Sequence, residues 1–200
     1  MSVTQASQQS LLIIGDSLSA GYGIDPKLGW VNLLQQRLRA EKYSYTVIND
    51  SISGDTTSNG LTRLRRGLKK YRPKIVIIEL GGNDGLRGIS LGSMKKNLAE
   101  MIELVLSSGA RVLLVAVPLP PNYGNAYIKK FESVYLSLAS QYGICLVSEF
   151  LQGVGALPEM MQSDGIHPKQ KAQVILLSNL WPSLEAVLKK ETGVSSAKNK

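Results

Sequence analysis

Short apolar runs alternate along this chain with stretches whose apolar residues recur at helical spacing. Five runs stand out, at residues 11–14, 45–48, 75–80, 112–117 and 144–147. They are rich in β-branched residues and lack polar alternation, the pattern of parallel strands covered on both faces. Between them, Val31/Leu34/Leu38, Leu61/Leu64/Leu68, Met94/Leu98/Met101/Ile102/Val105 and Ile128/Phe131/Val134/Leu138 predict amphipathic helices, the third ending near Gly109. A last helix is expected from about 168 to 190, with Pro168 in its first turn and Pro182 kinking it or dividing it in two. Strands that alternate with such helices form βαβ units with right-handed crossovers. The expected fold is therefore α/β, a three-layer α/β/α sandwich around a five-stranded parallel sheet in the flavodoxin-like order 2-1-3-4-5. One domain over residues 1–192 and a flexible tail over 193–200 complete the expectation.

Composition narrows the chemistry. At 200 residues the chain suits one domain with a substantial core. No apolar stretch approaches the roughly 20 residues that a membrane-spanning helix needs. The polar start, residues 1–10, lacks the charged-then-apolar plan of a signal peptide. Cys145 is the only cysteine and reads as a small hydrophobe in the last strand, so no internal disulfide forms and the redox compartment stays open. His167 is the only histidine, which excludes a zinc site built from several histidines, and no metal is expected.

The net charge is +8, and much of it lies between Arg63 and Lys74. With Leu61, Leu64 and Leu68 as its apolar stripe, this stretch reads as a helix with a solvated basic face. Attraction to anionic membranes, acidic carriers or phosphates is the alternative. Nucleic acid is not an expected partner, because no aromatic interleaving or binding motif accompanies the charge.

Every strand of a parallel sheet ends at the same edge, so the following loops share one rim. Four polar clusters fall there: Gly15-Asp16-Ser17, Ser53-Gly54-Asp55, Gly81-Gly82-Asn83-Asp84 and Asp164-Gly165-Ile166-His167. In the order 2-1-3-4-5 the loops after strands one and three flank the topological switch point, which brings Ser17 and Asn83 into one crevice beside Gly54. Each cluster also has a plain structural use. Ser17 and Asp16 suit a helix start, and Gly, Asn and Asp suit turns. Asp164, three residues before His167, can orient its imidazole as in acyl-transfer triads, or can simply shape a turn before a capping histidine. Gly54 allows close backbone approach and Asn83 offers an amide to a developing oxyanion. Other motifs fail: Ser19 stands where a nucleophile elbow needs glycine, and no phosphate loop or Gly-x-Gly-x-x-Gly follows a strand.

Taken together, Gly-Asp-Ser-Leu at 15–18, Gly54 in Ser-Gly-Asp-Thr, Gly-Gly-Asn-Asp at 81–84 and Asp-Gly-Ile-His at 164–167 resemble the SGNH (GDSL) hydrolases, in family order, over residues 11–190. The stretches 15–23, 79–88 and 120–124 are similar to the bacterial periplasmic thioesterase/lysophospholipase/arylesterase branch. The resemblance implies Ser17 as nucleophile, His167 as base and Asp164 as its orienting acid. It implies an oxyanion hole from the Ser17 N–H, the Gly54 N–H and the Asn83 side chain, with no cofactor. Residues 84–89 are implied to be a mobile substrate-contacting loop, so Asp84, Gly85, Leu86, Arg87 and Ile89 are expected to meet substrate.

Leu119 joins that set as an apolar residue near the rim, as do Ile24, Leu157 and Met160; each also suits loop-anchoring core. The expected activity is hydrolysis of acyl esters and thioesters through an acyl-enzyme on Ser17. A carbohydrate O-acetylesterase of the same family and a non-enzymatic flavodoxin-like anion-binding module are the alternatives. A small-molecule ester or thioester partner, a monomer with peripheral contact to anionic lipid, and a periplasmic or secreted location complete the expectations.

Overall fold

In the computed structural model, residues 9–189 are described. Five parallel strands form one sheet: β1 (Gln9–Gly15), β2 (Tyr45–Asn49), β3 (Ile75–Glu79), β4 (Arg111–Val115) and β5 (Cys145–Val147). Their order is β2-β1-β3-β4-β5, as the sequence predicts. Seven α-helices accompany them: α1 (Ser17–Ala20), α2 (Trp30–Ala40), α3 (Thr57–Tyr71), α4 (Gly82–Leu86), α5 (Leu91–Ser107), α6 (Asn125–Tyr142) and α7 (Gln173–Lys189). The one-turn helices α1 and α4 are too short to carry a periodic signal, and both open directly from the ends of strands.

Alternate residues of each strand feed two separate cores. Leu11, Ile13, Ile77 and Val115 face α2 and α7, where Leu34, Leu38, Leu180 and Leu184 are fully buried. Leu12, Ile14, Ile78 and Leu114 face α3, α5 and α6 through Leu64, Leu98, Met101 and Phe131. Burial on both faces explains why the strands show no polar alternation. The register pairs Gly15 with Glu79 and Glu79 with Val115, so the ends of β1, β3 and β4 lie level at one edge.

The last helix starts later than expected, and it is not divided at Pro182. Pro168 lies outside it, in an antiparallel bridge with Met161, and a 3-10 turn at Gln170–Ala172 precedes α7. The helix also runs unbroken through Pro182. Pro182 and Ser178, whose carbonyl loses its helical donor, are both exposed, so water can serve that carbonyl. Burial of Leu180, Trp181, Leu184, Val187 and Leu188 on both sides of the proline holds the helix to the sheet. The expected tail, 193–200, lies outside the described residues.

The basic stretch is helical, but its face is not uniformly solvated. Arg66, Lys69, Lys70, Arg72 and Lys74 are exposed and Arg65 pairs with Glu100, whereas Arg63 is buried in the core-facing side of α3. Because α3 runs antiparallel to the strands, its basic C-terminal end lies at the sheet edge opposite the four polar clusters. Among the described residues, no helix is long and apolar enough to cross a membrane.

Candidate active site

Asp16 turns the chain out of β1 by capping α1, its Oδ1 accepting from the Leu18 N–H at 3.1 Å. Ser17 is thereby the first residue of α1 and half-buried at the sheet edge. Only glycine suits position 15: a Cβ there would stand 2.6 Å from Ser19 Oγ and 2.8 Å from Glu79 Oε2. Trp30 Nε1 anchors the turn from the α2 side by donating to the Leu18 carbonyl at 3.1 Å.

The loop that carries His167 is closed on itself. The N–H of Gln162 donates to the His167 carbonyl and that of Lys169 to the Met160 carbonyl, both at 2.7 Å. Asp164 Oδ1 accepts from the Ile166 and His167 N–H groups at 2.9 and 3.0 Å, an Asx turn that leaves Oδ2 for the His167 ring. That second oxygen lies 2.7 Å from His167 Nδ1, and His167 Nε2 lies 2.8 Å from Ser17 Oγ. Although partial burial pushes the Asp164 carboxyl up, the hydrogen bonds from the His167 ring and from both N–H groups carry it down to about 2. It is an ionised acceptor that fixes the Nδ1–H tautomer and leaves Nε2 toward the serine.

Two neighbours of this pair escaped the sequence reading. The Tyr22 ring packs on the His167 ring with centroids 4.4 Å apart. Gln162 Nε2 donates to the carbonyls of Tyr22 and Pro168 at 2.8 and 3.2 Å, tying the two loops together. In the sequence Tyr22 stands out only as part of the stretch 15–23 that resembles the family branch.

On the other side of Ser17, Gly54 sits in a left-handed conformation at φ +83°. Neither the Ser17 nor the Gly54 N–H has a hydrogen-bond partner among the described residues. Asn83, in the first turn of α4, differs. Its Nδ2 donates to Asp16 Oδ2 and to the Asp55 carbonyl, each at 3.0 Å, so both amide hydrogens are engaged.

Three buried ionisable side chains lie directly behind these residues. Glu79 is fully buried, and its Oε2 accepts from Ser19 Oγ at 2.5 Å and more loosely from the Asp16 N–H at 3.4 Å. Burial, then the nearby Asp16 charge, pushes its carboxyl well above the usual range, which favours the protonated form. Asp16 is raised to about 6 by burial, against the opposing pull of the Leu18 N–H, the His167 charge and the Asn83 amide. Arg63 Nη2 donates to the Gly15 carbonyl at 3.1 Å, and Nη1 lies 2.7 Å from Asp55 Oδ2, off the line of a hydrogen bond. Signals for both existed: Glu79 is an acid inside an apolar run, and Arg63 shares a helix face with Gly60, Leu64 and Gly67.

The expected substrate contacts divide. Asp84 is buried, its Oδ2 accepting from the Thr57 N–H at 2.8 Å and its Oδ1 from Thr57 Oγ1 at 2.6 Å. Both of its carboxylate oxygens are thus engaged by the first residue of α3. Gly85 and Leu119 are also buried, and a Cβ on Gly85 would press into Leu119 and Phe131. Leu86 and Ile89 are half-buried, Arg87 is exposed, and Arg87 Nη2 donates to the Gly54 carbonyl at 2.9 Å. Ile24 is half-buried, Leu157 is exposed, and Met160 packs partly against the core. No group of three or more His, Cys, Asp or Glu side chains is placed to hold a metal among the described residues.

The geometry has counterparts among known proteins. A model of the GDSL-like Lipase/Acylhydrolase family matches residues 13–175, a span that includes all four polar clusters. The chain belongs to this family. Esterase TesA of Pseudomonas aeruginosa is 52% identical over 184 residues, covering 92% of each chain. Thioesterase 1/protease 1/lysophospholipase L1 of Escherichia coli is 38% identical over 183 residues, covering 92% of this chain and 86% of that one. A crystal structure of TesA matches with a TM-score of 0.88 and 51% identity, covering 90% of this chain and 99% of that one. The family's three-layer α/β/α sandwich is the architecture found here.

Proposed function

We propose that this protein is a serine esterase that hydrolyses acyl esters and thioesters through an acyl-enzyme on Ser17. The observation that carries the reading is the unbroken Asp164–His167–Ser17 chain, with links of 2.7 and 2.8 Å. In it His167 Nε2 takes the Ser17 proton as Oγ attacks the acyl carbonyl, while Asp164 stabilises the imidazolium. The protonated ring then gives its proton to the departing alkoxide or thiolate. Water, deprotonated by the same nitrogen, releases the acid and restores Ser17. The names of the relatives, an esterase and a thioesterase/lysophospholipase, support the ester and thioester substrate class.

The free Ser17 and Gly54 N–H groups are the first donors to the oxyanion. Asn83 joins them by exchanging one of its two bonds. The Asp16 carboxylate is the stronger acceptor, so the bond to the neutral Asp55 carbonyl is the one given up. Leu86, Arg87 and Ile89 remain the substrate contacts of this proposal. None of these steps requires a cofactor.

The proposal includes a monomer in the periplasm that touches anionic lipid through Arg66, Lys69, Lys70, Arg72 and Lys74, all exposed. Co-sedimentation with phosphatidylglycerol vesicles, lost when these residues are neutralised, checks the lipid contact. The test of the activity is Ser17→Ala: the variant folds as the parent does and loses turnover of p-nitrophenyl esters and acyl thioesters. A folded variant with near-parental turnover overturns the assignment.

A further inference from the structure

Beneath the rim lies a cation that the acyl-transfer steps do not touch. Arg63 is only 5% exposed, although it belongs to the most basic stretch of the chain. Its guanidinium is divided between two loops, Nη2 on the Gly15 carbonyl at 3.1 Å and Nη1 beside Asp55 Oδ2 at 2.7 Å. Gly15 stands two residues before Ser17, and Asp55 directly follows Gly54. The Asp55 carbonyl in turn accepts from Asn83 Nδ2 at 3.0 Å. All three groups assigned to the oxyanion are therefore attached within two residues of a partner of Arg63, or are held by one.

The approach of α3 to the sheet makes this reach available. Gly60 lies on the same helix face, and a Cβ there would run into the Leu80 side chain. With glycine at that position, the helix packs close enough for the guanidinium to meet the end of β1. Burying a guanidinium is costly unless its partners are held in good geometry, so the placement needs an account beyond solubility. The planar guanidinium sets one N–H on the Gly15 carbonyl and its charge 2.7 Å from Asp55 Oδ2, a fixed separation that the single ammonium of lysine does not impose.

We propose that Arg63 is a positioning residue for the oxyanion side of the site. It spaces the Gly15–Ser17 turn and the Gly54–Asp55 loop so that their N–H groups and the Asn83 amide converge. This inference rests on the acyl-transfer reading above. Its positive charge also lies on the side where negative charge develops in the transition state.

The experiment compares the parent protein with Arg63→Gln and Arg63→Lys, each assayed well below its own unfolding temperature. Steady-state turnover of p-nitrophenyl butyrate is measured together with inhibition by an arylboronic acid, whose serine adduct mimics the tetrahedral intermediate. Arg63→Gln is expected to lower kcat about 10- to 100-fold with KM within about threefold, and to weaken boronate inhibition in parallel. Arg63→Lys is expected to stay within about threefold of Arg63→Gln, because charge without the fork does not restore the spacing. Where Arg63→Gln does not fold, Asp55→Asn replaces it and the same pattern is expected. A folded variant that keeps parental kcat, or one whose kcat falls while boronate affinity is unchanged, overturns the inference. Parental protein without Ser17-dependent turnover overturns the acyl-transfer reading, and the inference with it.

Discussion

Asp16 Oδ2 accepts a hydrogen bond from Asn83 Nδ2 at 3.0 Å across two loops that are 67 residues apart in the chain. The residue before the proposed nucleophile thus aims the proposed oxyanion amide. Its other oxygen caps the helix that Ser17 begins. Asp16→Asn keeps one oxygen for the Leu18 N–H but sets an NH2 against the Asn83 amide, which needs an acceptor. The expected result is a kcat about 10- to 100-fold lower with KM little changed, read from steady-state kinetics on p-nitrophenyl butyrate.

The same carboxylate sets opposite pH trends for stability and turnover. In the folded chain burial raises Asp16 from 3.8 to about 6. Between these values the folded protein holds a proton that the unfolded chain has lost, so stability rises as pH falls from about 6 toward 4. Asp164 acts in the reverse sense. Despite partial burial, its hydrogen bonds to His167 and Ile166 lower it to about 2, and its stabilisation is lost as pH falls below 3.8. Tm is expected to increase by on the order of 5 °C from pH 7 to pH 5 and to decline again below pH 4. Turnover falls over the first interval, because protonated Asp16 holds the Asn83 amide less firmly. Calorimetry and initial rates across pH 3.5–8 check both trends, and Asp16→Asn should flatten the rise in Tm.

Glu79 separates charge from shape. Because burial favours its protonated form, Glu79→Gln is close to isosteric with that form and still offers an oxygen to Ser19. Activity at pH 7 is expected within about threefold of the parent, with a small change in Tm. Glu79→Ala instead leaves the Ser19 hydroxyl and the Asp16 N–H unpartnered beside a void. A loss of about 2–4 kcal/mol in urea unfolding is expected.

Pro182 offers a test far from the chemistry. It interrupts the hydrogen bonding of α7 on an exposed face while the buried side of the helix continues. Proline costs roughly 3 kcal/mol relative to alanine inside a helix and returns up to about 1 kcal/mol by restricting the unfolded chain. Pro182→Ala should therefore raise stability by about 1–2 kcal/mol in chemical denaturation without altering ester turnover.

The contrast between Asp84 and Asp164 shows how far the sequence could be read. The strand order and the meeting of Ser17, His167, Asp164 and Asn83 were legible, because apolar period and loop position are local and one sheet edge collects the loops. The spacing of Asp164 and His167 allowed an orienting acid or a plain turn, and the resemblance to the family was what assigned the pair. Asp84 was read as facing the crevice, yet its carboxylate turns inward to Thr57, 27 residues earlier. Nothing local announces that partner. The burial of Leu119 and Gly85 was equally out of local view, since their packing on one another is decided by how α4 sits over the loop after β4. Arg63 was hidden by its company, because a run of cations predicts a solvated face and only the flanking glycines pointed inward.

Gln173 Oε1 accepts from the Trp30 N–H at 3.1 Å, joining the starts of α7 and α2 across 143 positions of chain. Ser17 lies just ahead of one end of this tie and His167 just ahead of the other. The proposed nucleophile is therefore made early in synthesis and its proposed base late, and their meeting needs both ends of the chain in place. A nascent or partly unfolded chain carries the serine without its activator, so hydrolysis is withheld until the molecule is whole. Recovered esterase activity during refolding then reports the last long-range docking step and not the formation of the sheet.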